Sequence, residues 1–139
     1  MSGRFFLDTN IFVYTFDGRA PAKAKRALQL VRQAAETGNG VISYQVVQEF
    51  FNVALRRFTQ PMNVADAEQY LITVFKPLIA IHSSPALYLK ALDLTSTSRF
   101  SWFDSLIVSA ALQAKCDTLF SEDLQHGRTI EGLRIENPF

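Results

Sequence analysis

The feature that most constrains this chain is a recurrence of short apolar runs, each stopped by polar residues and separated from the next by helix-period segments. Phe5-Phe6-Leu7 stops at Asp8-Thr9-Asn10, and Val41-Ile42 stops at Ser43. Leu78-Ile79-Ala80-Ile81 stops at His82, and Thr118-Leu119-Phe120 stops at Ser121-Glu122-Asp123. Runs this short, without polar alternation, read as strands buried on both faces, the kind a parallel sheet requires. A fifth strand is expected at Leu133-Arg134-Ile135.

Between the runs the spacing is helical. Ala24, Ala27, Leu28, Val31, Ala34 and Ala35 share one helix face, and Gly38-Asn39-Gly40 ends that helix. Ser43 can cap a second helix, with Val47, Phe50, Phe51, Ala54 and Phe58 on its apolar face and Gln45, Glu49, Asn52 and Arg56 beside them. Asn63 opens another helix through Phe75, Ser84-Pro85 the next, and Ser101 a last one from Trp102 to Lys115 that is apolar nearly all round. Ser96-Thr97-Ser98-Arg99 is expected to be a loop.

Strands alternating with helices build right-handed βαβ units. The expected fold class is therefore α/β, a three-layer α/β/α domain around a central parallel sheet of about four to five strands. A chain of 139 residues is expected to form one domain over residues 1–139, since domains typically run to ~100–200 residues.

Charge narrows the function classes. Fourteen Lys and Arg against 13 Asp and Glu give +1, far from the balance of a protein that grips nucleic acid by charge alone. The single cysteine, Cys116, cannot form an internal disulfide, and with only His82 and His126 there is no zinc spacing, so a reducing, cytoplasmic setting is expected. Met1-Ser2-Gly3-Arg4 meets Phe5-Phe6-Leu7 and then Asp8, leaving no room for a signal segment or membrane span, and no membrane association is expected.

In parallel sheets, ligands bind beyond the carboxyl ends of strands at a topological switch point. The residues there are acidic. Asp8 follows the first strand, and Glu122 and Asp123 follow the fourth after one serine. Asp104 lies in the first turn of its helix, three residues after Ser101, and Glu49 lies on the helix after the second strand. Two carboxylates ~4–5 Å apart repel by roughly 3–4 kcal/mol at an effective dielectric of 20, so four together call for protons or a cation. Mg²⁺ or Mn²⁺ is the economical partner, because hard cations take oxygen ligands.

Each position also has a plainer reading. Asp8 can cap the turn that follows it, Asp104 can complete a capping box or complement its helix dipole, Glu49 can be a solvated helix residue, and Asp123 can start a helical turn. Four such coincidences at one sheet edge are less economical than a site. The cluster Lys23, Lys25, Arg26 and Arg32 reads as a solvated helix face, while Arg4, Arg56, Arg57, Arg99 and Arg128 are scattered around the acids. Cys116 reads as packing, His82 as a surface histidine, and Trp102 and Phe103 as core in preference to base-stacking residues. Gly38-Asn39-Gly40 precedes a strand and lacks a third glycine, so it is no dinucleotide fingerprint, and there is neither a Walker lysine nor a GxSxG elbow.

Together, Phe6-Leu7-Asp8-Thr9-Asn10-Ile11, Glu49, Trp102-Phe103-Asp104-Ser105 and Leu119-Phe120-Ser121-Glu122-Asp123-Leu124 resemble the motifs of PIN-domain proteins, most of all the VapC-like toxins of toxin–antitoxin pairs. The resemblance implies a metal-dependent endoribonuclease whose acidic quartet is Asp8, Glu49, Asp104 and Asp123. Ser121 and Asn10 match the hydroxyl and polar positions that accompany the quartet. Glu122 leaves open which of the adjacent acids faces the metal, and motif alignment selects Asp123. The resemblance further implies Mg²⁺ or Mn²⁺ held by Asp8, Asp104, Asp123 and Glu49, an RNA substrate cleaved to a 5′-phosphate and a 3′-hydroxyl, a small antitoxin partner and a homodimer.

Three rival readings are weighed against it. A haloacid-dehalogenase-like phosphotransfer enzyme expects a second aspartate where Asn10 stands, and a phosphoacceptor receiver domain expects an aspartate where His82 follows the third strand. The third rival, a non-catalytic PIN-fold scaffold, is disfavoured by the intact quartet.

Overall fold

A computed structural model describes residues 3–139. Met1 and Ser2, part of the segment read as leaving no room for a signal sequence, lie outside the described residues. Six strands form one sheet: β1 (Phe5–Leu7), β2 (Gly40–Ser43), β3 (Ile79–Ile81), β4 (Thr118–Phe120), β5 (Thr129–Ile130) and β6 (Leu133–Glu136). Six α-helices accompany them: α1 (Thr9–Tyr14), α2 (Pro21–Thr37), α3 (Tyr44–Ala54), α4 (Val64–Tyr70), α5 (Pro85–Ser98) and α6 (Trp102–Gln113). This is the expected α/β/α arrangement, with one strand more than expected. The addition is β5, a two-residue strand that pairs antiparallel with β6 and whose Thr-Ile sequence is too short to show a period.

The sheet order is β3-β2-β1-β4-β6-β5, and every pair but the last is parallel. The chain builds outward from β1 to β3, then crosses to the other side of β1 to lay down β4. The switch point therefore lies between β1 and β4, where ligand crevices of open α/β sheets form. In register, Leu7 pairs with Phe120, so Asp8 and Ser121 leave the sheet side by side.

The core is apolar and continuous. Phe6, Leu7, Ile42 and Leu119 from the sheet pack with Phe12, Leu30, Phe50, Phe75 and Leu94 from the helices, all at 1% exposure or less. Gly40 marks the closest approach of α2 to the sheet. A side-chain carbon there would lie 2.1 Å from the Ala34 side chain and 2.6 Å from its backbone. Gly38 closes α2 at φ 70, a left-handed cap of the kind glycine adopts without strain.

Helix ends were legible where a side chain caps them. Asn63, Ser84 and Ser101 each accept the backbone N–H three residues on. Four details differ from the sequence reading. Asp8-Thr9-Asn10 leads straight into α1, whose Ile-Phe-Val-Tyr sequence favours strands, yet Asp8 caps it and Ile11 and Phe12 bury against the core. The second predicted helix stops at Ala54, so Phe58 reaches the aromatic cluster of Phe16, Phe50 and Tyr70 from a turn. The helix from Asn63 becomes a π-helical segment at Leu71–Phe75, whose Lys76 N–H reaches back to the Leu71 carbonyl. That wider turn puts Tyr70 and Phe75 in contact, with ring centroids 5.0 Å apart.

The fourth difference is Ser96-Thr97-Ser98, which is helical and not a loop. Thr95 and Thr97 turn their hydroxyls back onto the carbonyls of Ala91 and Asp93, and α5 ends only at Arg99, at φ 58. Among the described residues no helix is long and apolar enough to cross a membrane.

Candidate active site

The carboxyl edge of the sheet holds a cavity of about 250 Å³ whose walls include Asp8, Glu49, Asp104 and Asp123. All four acids predicted from the sequence are thus brought to one place by four different elements. Asp8 arrives as the last residue before α1, Glu49 from α3, Asp104 from the first turn of α6, and Asp123 from the turn after β4.

Asp8 is the anchor and is buried, at 7% exposure. Its Oδ1 accepts the Thr9 backbone N–H at 2.7 Å, and its Oδ2 accepts the Ser121 hydroxyl at 2.8 Å. Burial pushes the carboxyl up to about 6, the two hydrogen bonds oppose the shift, and the charges of Glu49 and Asp123 add to it. The plain reading of Asp8 as a cap holds, since its side chain caps α1.

Each remaining acid has its own restraint. The Thr9 hydroxyl donates to Glu49 Oε1 at 2.7 Å, and the Asn10 side-chain amide donates to Asp123 Oδ2 at 2.8 Å. Partial desolvation raises the Asp123 pKa, and the charges of Asp104 and Glu122 raise it further. Ser121 holds the turn from both sides, because its oxygen also accepts the Asp123 backbone N–H at 3.3 Å. Asp104 heads its helix with its N–H donated to Ser101 Oγ at 3.2 Å, and no hydrogen bond to its carboxylate forms among the described residues.

Glu122 points elsewhere. Its two oxygens accept Lys23 Nζ and the Tyr14 hydroxyl, and the lysine contact holds its carboxyl below the usual range. Glu122 does not line the cavity, whereas Asp123 does. Lys23 is accordingly not part of a merely solvated helix face, and its ammonium also lies 4.9 Å from the Tyr14 ring. No local pattern announces this pair, because the partners are 99 residues apart.

Several other expectations resolve. Cys116 is buried and free, and burial pushes its thiol up to about 12, which suits packing and not nucleophilic chemistry. His82 is a surface residue, edge-on to Tyr44. Arg128 is held over the Phe100 ring and donates to the Ser98 carbonyl. The core reading of Trp102 and Phe103 is overturned, because the two residues are 36% and 62% exposed at the helix start. Sequence reasoning also missed Thr9, whose only signal was its place between two site residues.

The donor set has the chemistry of a hard-cation site, since it is all oxygen and includes carboxylates that raise one another's pKa. Among the described residues no three His, Cys, Asp or Glu side chains are already arranged around a common point. Glu49 and Asp123 are held by Thr9 and Asn10, which line the same cavity. The residues thus fit a divalent cation in kind and in location.

Comparison with known proteins agrees on the fold. A toxin–antitoxin complex from Klebsiella pneumoniae superposes with a TM-score of 0.67 at 20% identity, over 96% of this chain and 97% of that one. VapC20 of Mycobacterium tuberculosis, described as a sarcin-ricin loop cleaving toxin, gives 0.64 at 20% identity over 86% and 91%. FitAcB from Neisseria gonorrhoeae gives 0.64 at 16% identity over 96% and 97%. No curated protein matches the sequence. The family model of the PIN domain matches residues 5–131, which spans every one of the four clustered acids, and the chain belongs to the PIN-domain family.

Proposed function

We propose that this chain, read as a single PIN-like domain over residues 1–139, is a Mg²⁺- or Mn²⁺-dependent endoribonuclease and the toxin of a toxin–antitoxin pair. The observation that carries the reading is the gathering of Asp8, Glu49, Asp104 and Asp123 on the walls of one cavity at the switch point of the sheet. These four residues would hold the ion, and a bound divalent cation offsets charge on a phosphodiester and lowers the pKa of the attacking water.

The chain's own groups prepare that site. Ser121 and the Thr9 N–H fix both oxygens of Asp8, while Thr9 and Asn10 steady Glu49 and Asp123. Such supporting hydrogen bonds orient acidic ligands. Hydrolysis would leave a 5′-phosphate and a 3′-hydroxyl.

The partners follow the same reading. The similar structure from Klebsiella pneumoniae is described as a toxin–antitoxin complex, which supports a small antitoxin partner, and a homodimer is proposed with it. The lone reduced cysteine suits a cytoplasmic setting.

The test is cleavage of structured RNA by the purified protein with Mg²⁺ or Mn²⁺, beside EDTA and the Asp8→Asn and Asp104→Asn variants. Cleavage that needs both metal and acids is expected. Cleavage that persists in both variants overturns the assignment, and metal binding in none of the preparations favours the non-catalytic scaffold.

A further inference from the structure

A second cavity adjoins the acidic one and has a different character. It encloses about 220 Å³ between the start of α3, the end of β3 and the first turns of α5 and α6, and Gln45 and Phe103 line both cavities. The Gln45 side-chain amide donates to the Phe103 carbonyl at 3.1 Å, fixing the divide between them.

Its walls are aromatic rings that the core leaves uncovered. Tyr88 stacks on Trp102 with centroids 6.1 Å apart and planes inclined by 27°, and Tyr44 stands edge-on to His82 at 4.2 Å. Deeper in lies Ser43, 3% exposed, whose hydroxyl is the one buried side-chain polar atom among the described residues without a hydrogen-bond partner. Folded proteins leave few such groups, because an unmet buried donor is costly. Gln48 adds an amide donor and acceptor on the rim. No Lys, Arg, Asp or Glu lines the cavity, so it matches a flat, neutral, hydrogen-bonding group and not a phosphate.

Resting on the nuclease reading, we propose that this cavity is a base subsite: an unpaired nucleobase of the RNA strand, flanking the phosphate at the acidic site, stacks against the Tyr88–Trp102 wall and bonds through its edge to Ser43 and Gln48. Single-stranded RNA is recognised by stacking of splayed bases on aromatic side chains with hydrogen bonds to base edges, and this cavity supplies both next to the carboxylates. A near-neutral protein needs such contacts, because charge alone gives it little hold on RNA.

The test uses the full chain in EDTA and a short single-stranded oligoribonucleotide in which 2-aminopurine replaces one base at a time. Trp102 is the only tryptophan, so its emission reports this cavity directly. Expected are quenching of 2-aminopurine at one position near the cleavage point, matched by a change in Trp102 emission. Ser43→Ala should weaken binding about three- to tenfold without lowering the melting temperature, and Trp102→Leu should weaken it roughly tenfold or more. Should Trp102→Leu fail to fold, Tyr88→Leu on the exposed side of α5 replaces it.

Quenching at no position, or quenching that Ser43→Ala and the ring variants leave unchanged, overturns the subsite. Trp102 shielded from acrylamide in RNA-free protein whenever it self-associates also overturns it, and gives this face to a second copy. Position-specific quenching in a protein whose cleavage ignores the carboxylate variants keeps the base subsite and overturns the nuclease reading instead.

Discussion

The hydroxyl of Ser121 donates to Asp8 Oδ2 at 2.8 Å, tying together the ends of two neighbouring strands that stand 113 residues apart in the chain. The bond holds a carboxylate in place where burial works against its charge, and the predictions begin there.

Asp8→Asn should stabilise the metal-free protein at neutral pH. The folded pKa of Asp8 lies above its ordinary 3.8, at about 6, so the native state holds its proton more tightly than the unfolded chain. Its contribution is intact below about pH 4 and is lost as pH rises toward 6, by on the order of 2–3 kcal/mol. An asparagine keeps the Thr9 bond through its oxygen, meets Ser121 by donating its amide N–H to the hydroxyl oxygen, and carries no charge. Urea unfolding in EDTA should therefore show the variant gaining on the parent between pH 4 and 7, and equal stabilities at both ends would refute the buried-charge account.

Adding Mg²⁺ or Mn²⁺ should raise the melting temperature of the parent protein, because a ligand bound only by the folded state stabilises it by mass action. The effect should grow from pH 5 to pH 7, since Asp8 must lose its proton to bind a cation. Calorimetry at both pH values checks it. In Asp8→Asn the increment should largely vanish, along with roughly 10²-fold or more of the cleavage rate.

Glu122 and Asp123 should separate cleanly. Asp123→Asn is expected to abolish cleavage, whereas Glu122→Gln is expected to retain it and to weaken the links from the β4 turn to α2 through Lys23 and to α1 through Tyr14. The lowered pKa of Glu122 means that its ion pair adds stability above the ordinary carboxylate range and loses it as pH falls through the folded value. Assays of both variants in parallel decide the matter, and loss of cleavage in Glu122→Gln alone would reverse the assignment.

Gly40→Ala should be costly. The added methyl group would meet Ala34 at 2.1 Å, including contact with backbone at 2.6 Å, so α2 must move away from the sheet. Overpacking of this kind costs about 1–3 kcal/mol or more, read as a drop in the chemical-denaturation midpoint. A companion Ala34→Gly change should recover part of the loss.

Much of the fold was legible in the sequence. The four parallel strands other than β6 announced themselves as apolar runs cut off by polar residues, and Asn63, Ser84 and Ser101 announced helix starts through hydroxyl or amide side chains at cap positions. Elements whose stability comes from distant packing were not legible. The α1 segment carries a strand-like Ile-Phe-Val-Tyr composition and is helical because Asp8 caps it and the core takes Ile11 and Phe12. The π-helical turn at Leu71–Phe75 accommodates Phe75 beside Phe12 and Phe50, neighbours that no local pattern reveals.

The site divides along the same line. Residue type and position after a strand are local properties, so the sequence by itself determined that Asp8, Glu49, Asp104 and Asp123 were the acids to watch, and that oxygen chemistry was on offer. Orientation is not local. Only the tertiary structure decided that Asp123 lines the cavity while Glu122 turns to Lys23 and Tyr14, and that Trp102 stands at the surface beside an unpartnered Ser43. Each of those outcomes depends on which groups meet across long stretches of chain, where burial and hydrogen bonding are fixed by the packed neighbours and not by adjacent residues.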